Sequence, residues 1–122
     1  MGARINFVFQ ENIDGPNVVL YSHWGQDYWK TDIANALQHS QPRWGDTSYF
    51  TRMMISYLIS DAIMDETGFG IYSVQGDNFD FGDQAVVIDM INQTIRDGEV
   101  SATWTDFMKA YATKVLTEQA VG

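Results

Sequence analysis

One segment, residues 46–64, constrains the fold of this chain more than any other. Its polar residues form only a narrow line at helical spacing, Arg52, Ser56 and Ser60. Its apolar residues cover the remaining sides, at Phe50, Met53, Met54, Ile55, Tyr57, Leu58, Ile59, Ala62 and Ile63. A helix that is apolar nearly all round is buried on more than one side. The segment therefore predicts a central, buried second helix that lies on a sheet and is flanked by the first helix or by another subunit.

The rest of the chain supplies strands and two further helices. Apolar alternation and turn residues predict strands at 5–9, 18–22, 69–74, 86–91 and 94–96, a first helix from about residue 25 to Pro42, and a last helix after Thr103. Thr103 and Asp106 resemble a capping box at the start of that last helix. The order ββααβββα predicts one α+β domain over residues 1–122, with a small, mostly antiparallel sheet packed on helices.

Composition supports one core and limits the chemistry. The 122 residues are 45% hydrophobic and 14% aromatic, which is ample for a single domain. Cysteine is absent, so disulfides and thiolate metal sites are excluded. The N-terminal residues match neither a signal peptide nor a myristoylation motif, and no apolar stretch has the length of a membrane span. We expect a soluble, cytoplasmic protein without a membrane partner.

The charge of the chain is unevenly distributed. Residues 1–60 carry four bases against five acids, whereas residues 61–122 carry three bases against eleven acids, within a total of −9. An acidic second half disfavours direct binding of nucleic acid, because phosphate contacts need a basic surface. The excess of acids indicates either a role in solubility or an acidic face for a partner.

The first candidate site lies around the start of the first helix. A hairpin followed by two antiparallel helices brings Arg4, His23, Trp24, Glu66 and Thr67 to one rim. The free amides of a helix N-terminus favour an anion there. We predict that these five residues bind a small anionic ligand.

The second candidate site is the turn before the second helix. Arg43 and Trp44 stand next to each other there, and Arg52 follows on the helix. A guanidinium holds phosphate and an indole stacks on a ring, so this pair also indicates an anionic, ring-bearing ligand. The alternative is that each tryptophan fills the core and each arginine bonds to a helix C-terminus.

Motifs of enzymes and metal sites are scarce. The sequence has no Gly-rich phosphate loop, zinc-protease motif or nucleophile elbow, and its two histidines are far apart. Asp77, Asp80 and Asp83 form an acidic loop, but Phe79 occupies a position where a calcium loop needs an oxygen ligand. We therefore predict no catalytic residue, no metal and no cofactor, although His23 and Glu66 would form an acid–base pair if they met.

Three motifs together carry a resemblance. Residues 19–25 (VLYSHWG), 43–46 (RWGD, with Arg52) and 66–71 (ETGFGI) resemble a group of small, uncharacterised bacteriophage-encoded proteins. The resemblance implies a protein of the infected bacterial cytoplasm or a minor component of the particle. By analogy with small phage proteins that lack catalytic motifs, it also implies an anti-defence factor that traps a nucleotide-derived immune signal.

These observations lead to one main hypothesis and two alternatives. The main hypothesis is a non-enzymatic, homo-oligomeric protein that sequesters a small, anionic, nucleotide-like ligand. The first alternative is an acidic inhibitor that occupies a nucleic-acid-binding surface of a host protein. The second is a small hydrolase that uses His23 and Glu66.

Overall fold

The elements follow the predicted order, with one additional strand near the end of the chain. We describe them from a computed structural model that covers residues 4–23, 28–76 and 84–113. The strands are β1 (Ile5–Gln10), β2 (Pro16–Ser22), β3 (Phe69–Gln75), β4 (Gln84–Asp89), β5 (Thr94–Asp97) and β6 (Val100–Thr103), and the helices are α1 (Trp29–His39), α2 (Thr47–Leu58) and α3 (Trp104–Tyr111), with a 3₁₀ turn at Gln41–Arg43. No helix of this described part is long and apolar enough to span a membrane.

The strands form one mixed sheet in the order β3-β2-β1-β4-β5-β6. Of the strand pairs described, β1–β4 is parallel and the others are antiparallel. The helices pack on the sheet, so the predicted α+β class with a mostly antiparallel sheet is confirmed. The register sets Ile5 level with Ser22 and Gln84, and Ser22 level with Phe69.

The central helix is α1, and the prediction of a central, buried α2 is wrong. α1 packs against both α2 and α3 and buries six residues, Trp29, Ile33, Ala34, Asn35, Ala36 and Leu37. α2 buries only Phe50 and Met54, because it is covered from one side. It also ends at Leu58, and the turns that follow leave Ile63 65% and Met64 90% exposed.

The additional strand β6 did not stand out in the sequence because it has only four residues, VSAT. Gly98, at φ +64°, provides the turn that pairs it with β5. The predicted cap of the last helix is confirmed, since the Asp106 N–H donates to Thr103 Oγ1 at 3.1 Å.

Candidate functional site

A groove opens between α1, α3 and the β5–β6 hairpin. It has a volume of about 450 Å³, part of which is open to solvent. Its walls are Trp29, Lys30, Ile95, Asp97, Val100, Ser101, Ala102, Phe107 and Tyr111. A mostly apolar lining with a few polar groups is typical of small-molecule sites.

Three aromatic rings line one side of the groove in a continuous row. The Trp29 and Phe107 rings stack with their centroids 5.7 Å apart, and the Phe107 and Tyr111 rings are 4.8 Å apart. Phe107 and Tyr111 are four residues apart on α3, so helical spacing places them side by side. Tyr111 is partly exposed, and its ring is therefore accessible to a ligand.

Lys30 brings a positive charge to this aromatic row. Its Nζ lies 5.9 Å from the centroid of the Trp29 ring and 5.4 Å from that of Tyr111. The ion pair found within the described residues joins Arg96 and Asp89, so the Lys30 ammonium has no carboxylate partner among them. An ammonium that lies beside ring faces retains its capacity to bind an anion.

Asp97 supplies an acceptor on the groove wall. One of its oxygens, Oδ2, accepts a hydrogen bond from Gln84 Nε2 at 3.4 Å. The groove therefore combines a cation, a stack of rings and a carboxylate, which matches a ligand with an anionic group, a ring and N–H donors.

Backbone contacts bring described members of the first predicted cluster close to one another. The His23 N–H donates to Gly68 O at 2.9 Å, beside Thr67, and Arg4 precedes Ile5, which pairs with Ser22. Arg4, Glu66 and Thr67 are exposed and His23 is half-buried. Tyr21 Oη and His23 Nδ1 are 3.1 Å apart. Trp24 lies outside the described residues.

The second predicted cluster is divided between the surface and the core. Trp44 is half-buried; its Nε1 donates to Leu37 O at 3.0 Å, and its ring meets the Trp104 ring edge-on at 5.3 Å. Trp44 therefore anchors the turn, as in the alternative of a core-filling tryptophan. Arg43 is exposed, with its guanidinium 5.0 Å from the centroid of the Tyr49 ring. Arg52 Nη1 donates to Ser56 Oγ at 3.3 Å.

The residues of the groove were not singled out from the sequence. By helical spacing alone, Lys30 falls on the solvent-facing side of its helix and Tyr111 among the apolar positions of the last helix. One feature of the sequence points to the groove: Trp29 and Lys30 are adjacent at the start of a helix. The approach of Tyr111 depends on tertiary packing, which periodicity does not report.

On the opposite face of the sheet, a polar network joins β1, β4 and β5. Arg96 donates to Asp89 Oδ2 and, through Nη2, to Gln10 Oε1 at 2.8 Å. Burial alone would raise the pKa of Asp89, but hydrogen bonds from Asn92, Arg96 and Ile91 together lower it. Because its partners are all within the protein, this network holds the sheet together and offers no open site.

The described residues contain no group of three or more histidine, aspartate and glutamate side chains that could hold a metal ion. The acidic loop with Asp77, Asp80 and Asp83 lies outside them. Comparisons of the chain with protein-family models, with curated proteins and with solved structures found no match. The resemblance to bacteriophage proteins therefore stays a prediction.

Proposed function

We propose that the chain is a non-enzymatic binding protein that holds a small, ring-bearing anion in the groove between α1, α3 and the β5–β6 hairpin. The observation that carries this proposal is the Lys30 ammonium, which lies beside the Trp29 and Tyr111 rings without a carboxylate partner in the described part of the chain. The class of ligand is the one expected from the sequence, but its site is different.

Each part of such a ligand has a matching side chain in the groove. The anionic group pairs with Lys30, and the ring packs against the exposed part of Tyr111. Asp97 accepts a hydrogen bond from an exocyclic amine or a ring N–H. A nucleoside monophosphate has all three features.

Adenosine monophosphate is the probe for the first test, with binding followed by titration calorimetry. We expect the Lys30→Met variant to bind the probe about tenfold more weakly, because a charge-assisted hydrogen bond is lost. The Lys109→Met variant, which removes an exposed lysine outside the groove, should bind like the unchanged protein. Adenosine should bind weakly and equally to all three. Equal affinity of both lysine variants for the monophosphate would exclude the groove as the site.

The fate of the probe separates binding from hydrolysis. The proposal requires the monophosphate to be recovered intact after the protein is denatured. Turnover that disappears in a His23→Ala variant would favour the hydrolase alternative instead.

The biological role we propose is sequestration of a nucleotide-derived immune signal in an infected bacterium. It is supported by the resemblance of three motifs to phage proteins and by the chemistry of the groove. Mass spectrometry of small molecules that co-purify from a defence-active lysate tests it. A nucleotide-derived species should be retained by the unchanged protein and lost from the Lys30→Met variant; the same small molecules on both would contradict the role.

A further inference from the structure

The outer edge of β3 is a second surface, distant from the groove. β3 pairs with β2, and no other described strand lies beyond it. The strand has seven residues, FGIYSVQ, with neither a charge nor a proline. Edge strands of this kind present unpaired N–H and C=O groups, and proteins usually protect them with charges, prolines or bulges. Within the described residues, no strand, charge or proline therefore blocks the addition of another strand at the edge of β3.

The opposite edge strand, β6, also has neither a charge nor a proline, but it is shorter. β6 has only four residues and continues directly into α3 at Trp104. A short edge strand offers few backbone hydrogen bonds to a partner. Of the two edges, β3 is the one suited to strand addition.

Charge and apolar surface beside β3 define the kind of partner. Asp61, Asp65 and Glu66 precede the strand and are exposed. Met64 is 90% exposed and Ile71, within the strand, is 61% exposed. We propose that β3 binds an extended, basic segment of a partner protein, which adds as a further strand and places lysine or arginine side chains against Asp65 and Glu66.

The charges disfavour a second copy of the chain as the occupant. A second copy paired at this edge would bring the same three exposed acids next to their own counterparts, so that pairing of two copies through β3 is disfavoured. A basic segment gains attraction from the same acids, and its backbone satisfies the edge. This surface does not depend on the groove, which lies at the β5–β6 side of the sheet.

The test uses capped peptides of the same length as β3, with alternating valine and threonine and two lysines at each end. Binding is measured by fluorescence anisotropy, and protection of the β3 amides by hydrogen exchange. We expect the lysine peptide to bind, to protect amides of β3 and to lose affinity as salt is raised. A peptide with glutamates in place of the lysines should bind at least tenfold more weakly. A lysine peptide with N-methylated backbone should not bind, because it cannot donate to the edge.

A matched pair of variants tests whether the affinity for the lysine peptide depends on the acids that precede β3. Glu66→Lys and Glu99→Lys make the same change of charge at exposed positions near opposite edges of the sheet. We expect roughly a threefold to tenfold loss of affinity for the lysine peptide in Glu66→Lys and little change in Glu99→Lys.

Three results would overturn the proposal. Equal losses of peptide affinity in Glu66→Lys and Glu99→Lys would show that binding depends on the net charge of the protein alone. Undiminished binding of the N-methylated peptide would show that the edge is not used. Protection of β3 that rises with protein concentration, without peptide, would assign the edge to a second copy.

Discussion

At the scale of single residues, Asp89 is a buried carboxylate that is kept ionised by its hydrogen bonds. Its side chain is 4% exposed. It accepts hydrogen bonds from the N–H groups of Ile91 and Asn92, at 2.9 and 3.0 Å, from Asn92 Nδ2 at 3.1 Å and from Arg96. Four donors favour the ionised carboxylate more than burial disfavours it, and the pKa is lowered. The residue therefore stabilises the fold only while it is ionised.

This environment predicts a loss of stability in acid. A carboxyl group whose folded pKa is below its unfolded value, about 3.9, stabilises the protein above that value and less as the pH falls. We expect the free energy of unfolding, measured with urea, to decrease below about pH 4. Asp89→Asn should lower it by about 2 kcal/mol at pH 7, because buried donors lose a charged acceptor.

The control for Asp89→Asn is Glu99→Gln, which neutralises an exposed carboxylate. It should unfold like the unchanged protein at neutral pH. Equal stability of Asp89→Asn and the unchanged protein at pH 7 would contradict the assigned role of Asp89.

At the scale of elements, α2 shows how a helix with apolar residues nearly all round can still be covered on one side. Phe50 stacks on Trp104 with centroids 4.4 Å apart, and Met54 Sδ accepts a hydrogen bond from Ser40 Oγ at 3.4 Å. Met53, next to Met54, is only half-buried. Phe50 and Met54 are thus fully buried, Ile55, Tyr57 and Leu58 pack half-buried against the same core, and Tyr49 stays exposed.

The neighbouring methionines of α2 provide a direct test of this one-sided burial. Met54→Ala should reduce the free energy of unfolding by roughly 3 kcal/mol, since it leaves a cavity. Met53→Ala should cost less than about 1 kcal/mol. Similar losses in both variants would mean that α2 is covered on both sides, as a central helix would be.

At the scale of the whole molecule, the acids of the second half are spread rather than gathered in the described residues. Asp61, Asp65 and Glu66 precede β3 at one edge of the sheet, whereas Glu99 precedes β6 at the other. The acidic inhibitor expected as the first alternative needs one contiguous acidic face. The proposed strand addition at β3 needs only the three acids that precede that strand, and the acidic inhibitor stays a prediction.

The homo-oligomer expected from the sequence stays a prediction at this scale. Its physical basis is the half-buried apolar surface of α2, which includes Met53, while Tyr49 on the same helix is 53% exposed. Light scattering should give a mass of at least two chains for the unchanged protein, and Met53→Glu should shift it towards one. A strict monomer at all concentrations would contradict the prediction.

The sequence by itself determined the α+β class, five of the strands, the three helices and the cap at Thr103, because these depend on periodicity and on neighbours a few residues away. Tertiary structure alone decided that α1 is central, that β1 pairs with β4, and that Lys30 lies beside Tyr111. Each of these joins residues far apart in the chain. Their pairing follows from which surfaces compete best for burial, and local patterns carry no information on that competition.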